Sequence, residues 1–391
     1  MKKNRSNNIE TVLAHTGRDP SANFGVVNPP VYHASTVIFE DYASFKRSWE
    51  GSFSGITYGR HGSESHKKLE EAFCDIEGAD KSLITCSGST AIAVTMLALL
   101  KSGDHMLLPD SVYSPARAFA DSEMKRMGVE VGYYDPLIGA GIEKHIKKNT
   151  RLIYTESPGS LTMEIQDIPA ITKVAKKHGI YTAIDNTWAT PLLFKAFEHG
   201  IDVSIHSATK YIGGHSDIMM GVINCRKALY ADIKRTYKNI GIVSGPDDIY
   251  LASRGLRTLG VRLKEQGANA LKIAKVLESN PKIEAVLHPA LRSFPQHNIW
   301  KRDFNGASGL FSFTLKKNLD DKGFAKFLES LEFFKMGYSW GGYESLIIPF
   351  ELSKIRSVTK FPYKGAAFRI SVGLENVDDL ISDLQNAISK V

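Results

Sequence analysis

From about residue 61 to about residue 256, helical patterns alternate with short apolar runs, and this restricts the chain to an α/β fold with a mostly parallel central sheet. Three of the runs, Leu152 to Thr155, Thr182 to Asp185 and Val203 to His206, have the length of buried strands. Between the first two, Ile168, Ile171, Val174 and Ala175 recur at helical spacing within Asp167 to His178, and Gly179 supplies a C-terminal stop. Together they predict a βαβ crossover. Residues 1–60 read differently: Pro20, Gly25, Pro29, Pro30 and Gly51 punctuate an arm without a core of its own. Residues 257–391 carry helical patterns at Val261 to Leu277, Phe324 to Leu331 and Asp378 to Ile388. Strand-like runs at Leu310 to Leu315 and Ala367 to Val372 complete a smaller α+β domain.

A chain of 391 residues that is 43% hydrophobic and 23% charged is neither disordered, fibrous nor a small disulfide scaffold. Its net charge, 49 − 42 = +7, favours anionic small ligands or a mild affinity for nucleic acid without establishing either. The lysines are interspersed with acids, as around Lys144 to Lys148 and Lys173 to Lys177, so solvated helix faces are expected and a nucleic-acid partner is not. Cys74, Cys86 and Cys225 form no CxxC pair, and their odd number points to reduced thiols in a cytoplasmic protein. The longest uncharged apolar stretch, Ala91 to Leu100, is far short of the ~20 residues that cross a bilayer. After Met1-Lys2-Lys3 no apolar export segment follows, so neither export nor a membrane partner is expected.

The chemistry concentrates in Asp202 to Ser216, a strand that runs into Ser207, Thr209 and Lys210 and then the pair Gly213 and Gly214. Open α/β sheets bind ligands at the carboxyl ends of their strands, which is where Lys210 falls. Hydroxyls on either side can donate to phosphate oxygens, and the glycines permit close backbone approach. This combination suits a lysine that holds an aldehyde cofactor as a Schiff base. Asp185, at the end of its strand, needs a cationic partner, and a protonated pyridine nitrogen is one. Cys86 to Thr90, including Gly88 and Ser89, opens a helix whose free N–H groups form an anion site. Read singly, Lys210 is a surface lysine, Asp185 a turn or cap residue, and Ser89 or Thr90 a helix cap. No P-loop, GxGxxG, HExxH or GxSxG occurs, and no metal site is expected.

With these segments, Tyr58-Gly-Arg60, Glu156-Ser-Pro-Gly159, Asp185-Asn-Thr187, Ser253 to Gly260 and Gly309 to Ser312 complete a pattern from about residue 11 to the C-terminus. It resembles the pyridoxal-phosphate (PLP) enzymes of cysteine and methionine metabolism, the transsulfuration family within the aspartate aminotransferase-like fold (fold type I). Within that family, Phe334 to Leu346, His288-Pro-Ala290 and Trp300 to Phe304 are similar to the bacterial cystathionine beta-lyases, which carry a tryptophan where Trp340 stands.

The resemblance implies a covalent PLP on Lys210, Asp185 on the ring nitrogen, and Gly88, Ser89, Ser207 and Thr209 on the phosphate. Tyr113 would stack on the ring, and Tyr58 and Arg60 would reach the phosphate of a neighbouring subunit in a homotetramer built as a dimer of dimers. Arg369, with Ser339 and Trp340, would bind the amino-acid substrate, Arg369 through its α-carboxylate. Lys238, preceded by Tyr237, departs from the tyrosine that family β-lyases often place near the far end of the substrate. The implied activity is β-elimination of L-cystathionine to homocysteine, pyruvate and ammonia in methionine biosynthesis, with cystine and other S-substituted cysteines as further substrates. A γ-lyase or γ-synthase is the alternative within the family. A basic binding protein that keeps the fold without catalysis is the alternative outside it.

Overall fold

A computed structural model describes residues 8–50, 52–352 and 355–391, so the basic start and Gly51 lie outside the described residues. The apolar runs become a seven-stranded sheet of β1 (Lys81–Thr85), β2 (His105–Pro109), β3 (Glu130–Tyr134), β4 (Thr150–Glu156), β5 (Tyr181–Asp185), β6 (Val203–Ser207) and β7 (Gly221–Cys225). Their spatial order is β1-β7-β6-β5-β4-β2-β3. The five strands from β3 to β6 are mutually parallel, and β7 runs antiparallel to β6 and β1. Strands covered on both faces need apolar side chains on both. Accordingly β2 and β7 are buried throughout, and β4 is buried except at Arg151.

The expected crossover is present: the helix Ile168–Lys177 links β4 to β5, with Asp167 accepting from the Ala170 N–H at 3.2 Å. Past its end, Gly179 adopts φ +65°, where a β-carbon would be strained. A second sheet holds β8 (Ile283–Leu287), β9 (Leu310–Leu315), β10 (Lys335–Met336), β11 (Leu346–Phe350) and β12 (Ala367–Ser371), in the order β10-β11-β12-β9-β8. Between β9 and β10, the helix expected at Phe324 to Leu331 runs from Asp321 to Leu328, because Asp320 caps it by accepting from the Gly323 N–H at 2.9 Å. No helix among the described residues is long and apolar enough to cross a membrane.

One helix, Pro246–Glu278, serves both sheets. Its first half buries Ile249, Ala252, Leu256 and Leu259 against Ile84, Tyr211 and Val222, whereas Ala270, Ile273 and Leu277 join the core of the smaller sheet. The boundary expected between residues 256 and 257 falls inside this helix. Gly255 and Gly267 do not break it; a β-carbon there would stand 2.3 Å from the Ile212 carbonyl oxygen and 2.1 Å from that of Ala307, so both glycines serve close packing. In the arm, Leu13 of the helix Ile9–His15 is buried against the long helix, but Phe24, Ile38 and Trp49 stand exposed.

A second tie between the two halves is polar. Asp110, just past β2, has a fully buried side chain that accepts from the N–H groups of Ser357, Val358 and Thr359 at 2.9, 2.9 and 2.7 Å and from Arg117 Nη2 at 2.6 Å. Burial works against its charge, but the N–H groups of Ser357, Thr359 and Val358 outweigh it and hold the carboxyl well below the usual range. A depressed folded value stabilises the protein above the unfolded pKa of about 3.9 and stops doing so as pH falls through the folded value. Asp110→Ala should lower the unfolding free energy at pH 7 by about 3–5 kcal/mol, read from urea denaturation. The loss should shrink steadily below about pH 4, and a deficit that does not depend on pH contradicts the charged latch.

Candidate active site

Parallel strands β4, β5 and β6 end side by side, with Glu156 paired in register to Asp185 and Asp185 to Ile205, so their carboxyl ends deliver Glu156, Asp185 and Ser207 to one place. These residues line a cavity of ≈ 360 Å³. Lys210 enters it from the turn after β6, its N–H donating to the Ser207 carbonyl at 3.1 Å. Its Nζ donates to Ser339 Oγ at 2.5 Å and lies 5.5 Å from the centre of the Trp340 ring. Burial, and then the nearby Arg369 cation, lower the amine to about 8 against an opposing pull from Asp185. A usable fraction is therefore neutral near physiological pH.

Two charges in the cavity lack partners. Asp185 Oδ1 accepts from Thr187 N–H at 3.0 Å and from its hydroxyl at 2.5 Å, but among the described residues no cation pairs with the carboxylate. Burial raises it, opposed by Thr187 and by the charges of His206 and Lys210. Glu156 beside it is raised well above the carboxylate range by burial and then by Asp185 itself. Adjacent buried carboxyls do not both ionise readily; Asp185 accepts two hydrogen bonds from Thr187 and Glu156 one from the Tyr113 N–H, so Asp185 is the better placed to carry the charge. Arg369, on β12, donates to the Ser339 carbonyl at 3.0 Å and pairs with no carboxylate among the described residues. Burial lowers it to about 10.

The third feature is the start of the helix Gly88–Leu99. Ser87 caps it, accepting from the Thr90 N–H at 3.0 Å, so Ser89 and Thr90 do not play that part. The N–H groups of Gly88 and Ser89 have no acceptor among the described residues and remain available to an anion. A β-carbon on Gly88 would come within 2.7 Å of Ser207 Cβ, so only glycine lets the helix start reach that strand. An amine, a carboxylate lacking a cation and a phosphate-sized nest of N–H groups fit PLP at its aldehyde, ring nitrogen and phosphate.

Of the residues expected here, Gly88, Ser89, Tyr113, Asp185, Ser207, Thr209, Lys210, Ser339, Trp340 and Arg369 all line this cavity. Thr209 is nonetheless engaged, its hydroxyl donating to the Met220 carbonyl at 3.2 Å and accepting from the Met220 N–H at 2.9 Å. Tyr58 and Arg60 lie elsewhere. Arg60 donates to the Lys238 carbonyl at 2.9 Å in a separate cleft that also holds Lys238, Tyr237 and Glu70. Sequence reasoning assigned no role to Glu156, which fixes Tyr113 by accepting its N–H at 2.8 Å. Nor did it give one to Trp188, whose Nε1 donates to the Leu310 carbonyl at 2.9 Å. Glu156 was marked only by its place in the Glu156-Ser-Pro-Gly159 segment, and Trp188 only by following Asp185-Asn-Thr187.

The sequence pattern described as "Cys/Met metabolism PLP-dependent enzyme" matches residues 10–389. The chain belongs to that family. As a Cys/Met metabolism PLP-dependent enzyme it uses pyridoxal phosphate and has the mostly parallel sheet of PLP fold type I. It is 46% identical to a putative cystathionine beta-lyase of Rhizobium johnstonii, over 97% of this chain and 96% of that one. It is 40% identical to the cystathionine beta-lyase MetC of Escherichia coli, over 98% of each. An L-alanine/L-glutamate racemase of Wolbachia pipientis is 41% identical, over 98% of this chain and 97% of that one. The crystal structure of metB from Corynebacterium glutamicum superposes with a TM-score of 0.89 at 28% identity, covering 98% of each chain.

The depressed Lys210 value has a kinetic consequence, because only a neutral amine condenses with an aldehyde. When PLP is returned to the stripped chain, the rate of imine absorbance growth should rise with pH and level off above about 8. A plateau reached only near the ordinary lysine value of about 10.4 contradicts the assignment.

Proposed function

We propose that this chain catalyses PLP-dependent β-elimination of L-cystathionine, releasing homocysteine, pyruvate and ammonia. The observation that carries this reading is a Lys210 amine lowered to about 8, placed in one cavity with an Asp185 carboxylate and an Arg369 guanidinium that pair with no opposite charge among the described residues. The names of its Rhizobium and Escherichia relatives support the substrate.

Bound PLP supplies an aldehyde that condenses with amines and a cationic ring that takes up the electron pair left at the substrate's Cα. The chain's residues do the rest. Gly88 and Ser89 N–H groups and the Ser207 hydroxyl hold the phosphate; Asp185 keeps the ring nitrogen protonated. Tyr113 covers the ring and is kept in place by Glu156. Arg369 binds the α-carboxylate in a planar, two-pronged geometry. Lys210 Nζ, steadied by Ser339 Oγ, takes the Cα proton as general base, a role that requires the lowered value found for it.

We place Tyr58 and Arg60 at the phosphate of a neighbouring subunit in a homotetramer, since they lie off their own chain's Lys210 cavity and the arm that carries them exposes Phe24, Ile38 and Trp49. An inactive Arg60→Ala variant mixed with inactive Lys210→Ala should regain activity, because a hybrid contains one site with both residues intact. Continued inactivity of a verified hybrid rejects the shared site.

Products decide among the reactions this site can start. L-Cystathionine should give pyruvate and homocysteine, and Lys210→Ala should lose at least about 10³-fold in kcat by loss of its general base. Cysteine and 2-oxobutanoate as main products would mean γ-elimination. Racemisation shares the first proton removal but returns the proton to Cα, so D-alanine formed from L-alanine faster than pyruvate from cystathionine would favour the activity named for the Wolbachia relative.

A further inference from the structure

The turn that presents Lys210 is gripped from outside the cavity by a side chain of the Pro246–Glu278 helix. Arg262 is 5% exposed, and its guanidinium donates to the carbonyls of Tyr211, Gly255 and Ile212 at 2.8, 2.9 and 3.4 Å. Nε donates to Thr258 Oγ1 at 3.0 Å. No carboxylate pairs with it among the described residues. A buried cation without an acid is costly, and hydrogen bonds must offset the lost hydration. Two of those bonds go to the two residues that follow Lys210. Gly214 makes room, since a β-carbon there would stand 1.8 Å from Arg262 Nη1.

Four residues further along the helix, fully buried Gln266 donates Nε2 to the Gly342 carbonyl at 2.6 Å. Gly342 ends the loop of Ser339 and Trp340, in which Ser339 holds a left-handed φ of +81°. That loop presses on the lysine turn, for a β-carbon on Gly341 would meet the Tyr211 nitrogen at 2.9 Å. Positions i and i+4 share one helix face. A single rigid face therefore anchors both backbone segments whose side chains meet as Lys210 Nζ and Ser339 Oγ.

We propose that Arg262 and Gln266 are positioning residues that jointly set the separation of Lys210 Nζ from Ser339 Oγ, and with it the path of proton transfer at Nζ. The inference rests on Lys210 being the imine-forming base. It concerns geometry, so its signature is a kcat effect with little change in KM and strong coupling between two residues that do not touch substrate.

The test compares holoenzymes of Arg262→Lys, Arg262→Gln, Gln266→Met and the double variant Arg262→Lys/Gln266→Met. Each single change should lower kcat by about 10- to 100-fold with KM within about 3-fold, Arg262→Lys being milder than Arg262→Gln. The double variant should lose much less than the product of the two single losses, since both act through one separation. Imine absorbance should return more slowly after PLP is removed and restored, with the amount bound at saturation unchanged. Singles within about 2-fold of the parent, losses that multiply, or a KM effect without a kcat effect would each overturn the proposal. Should Arg262→Gln fail to fold, Arg262→Lys, Gln266→Met and their combination suffice to separate these outcomes. Failure of the underlying reading is separate and appears in the unaltered enzyme, as borohydride labelling away from Lys210.

Discussion

The site depends on one electrostatic constraint, the burial of a lysine amine between a carboxylate and a guanidinium that pair with no opposite charge among the described residues. In water the amine would be protonated and inert as a base. Here burial and the Arg369 charge outweigh the pull of Asp185, which leaves Lys210 near 8. The same burial leaves Asp185 and Arg369 without an opposite charge among the described residues, and in the proposed reaction a cationic ring and a substrate carboxylate complete the charge balance. Glu156, beside Asp185, is raised well above the carboxylate range by burial and then by Asp185, so it is the weaker acid of the two.

Such a cavity must be rigid, and no single element supplies the rigidity. Lys210 and Asp185 come from the larger sheet and Arg369 from the smaller, so any slip between the sheets would separate the groups. The helix Pro246–Glu278 prevents it by packing into both cores, and the Asp110 latch to Ser357, Val358 and Thr359 ties the two again near the loop of Tyr113. Glycines at 88, 214 and 255 let the Ser207 side chain, the Arg262 guanidinium and a backbone carbonyl, respectively, approach where a β-carbon would collide.

Local signals made much of this legible in the sequence. The crossover helix, the strands ending at Asp185 and Ser207, and β9 and β12 follow from periodicity and caps, and the lysine turn follows from hydroxyls and glycines around a strand end. What was not legible depends on distant packing. Gly255 lies inside the helix that crosses the expected domain boundary, and sequence alone does not tell a glycine that admits the Ile212 carbonyl from one that ends a helix. Glu156 stood in a motif without a role, because its function is to hold the Tyr113 N–H 43 residues earlier in the chain. Arg262 had no motif meaning at all, since three of its four partners are carbonyls, which every residue has.

The charge of a phosphate is the physical ground for the proposal that a neighbouring subunit's arm completes the site. A phosphate monoester carries about −1.5 to −2 charges near neutral pH, whereas a helix start offers roughly +0.5 and hydroxyls offer only dipoles. Thr209 is moreover engaged with Met220. Among the described residues of one chain, the cations lining the cavity are Lys210, which works as a base only when neutral, and Arg369, which the proposed function assigns to the substrate. An additional full positive charge is what the proposed contribution of a neighbouring subunit's Arg60 would supply; in its own chain Arg60 is held by the Lys238 carbonyl in a separate cleft. In the proposed association the exposed Phe24, Ile38 and Trp49 would supply apolar area to bury, and Arg60 would supply the charge.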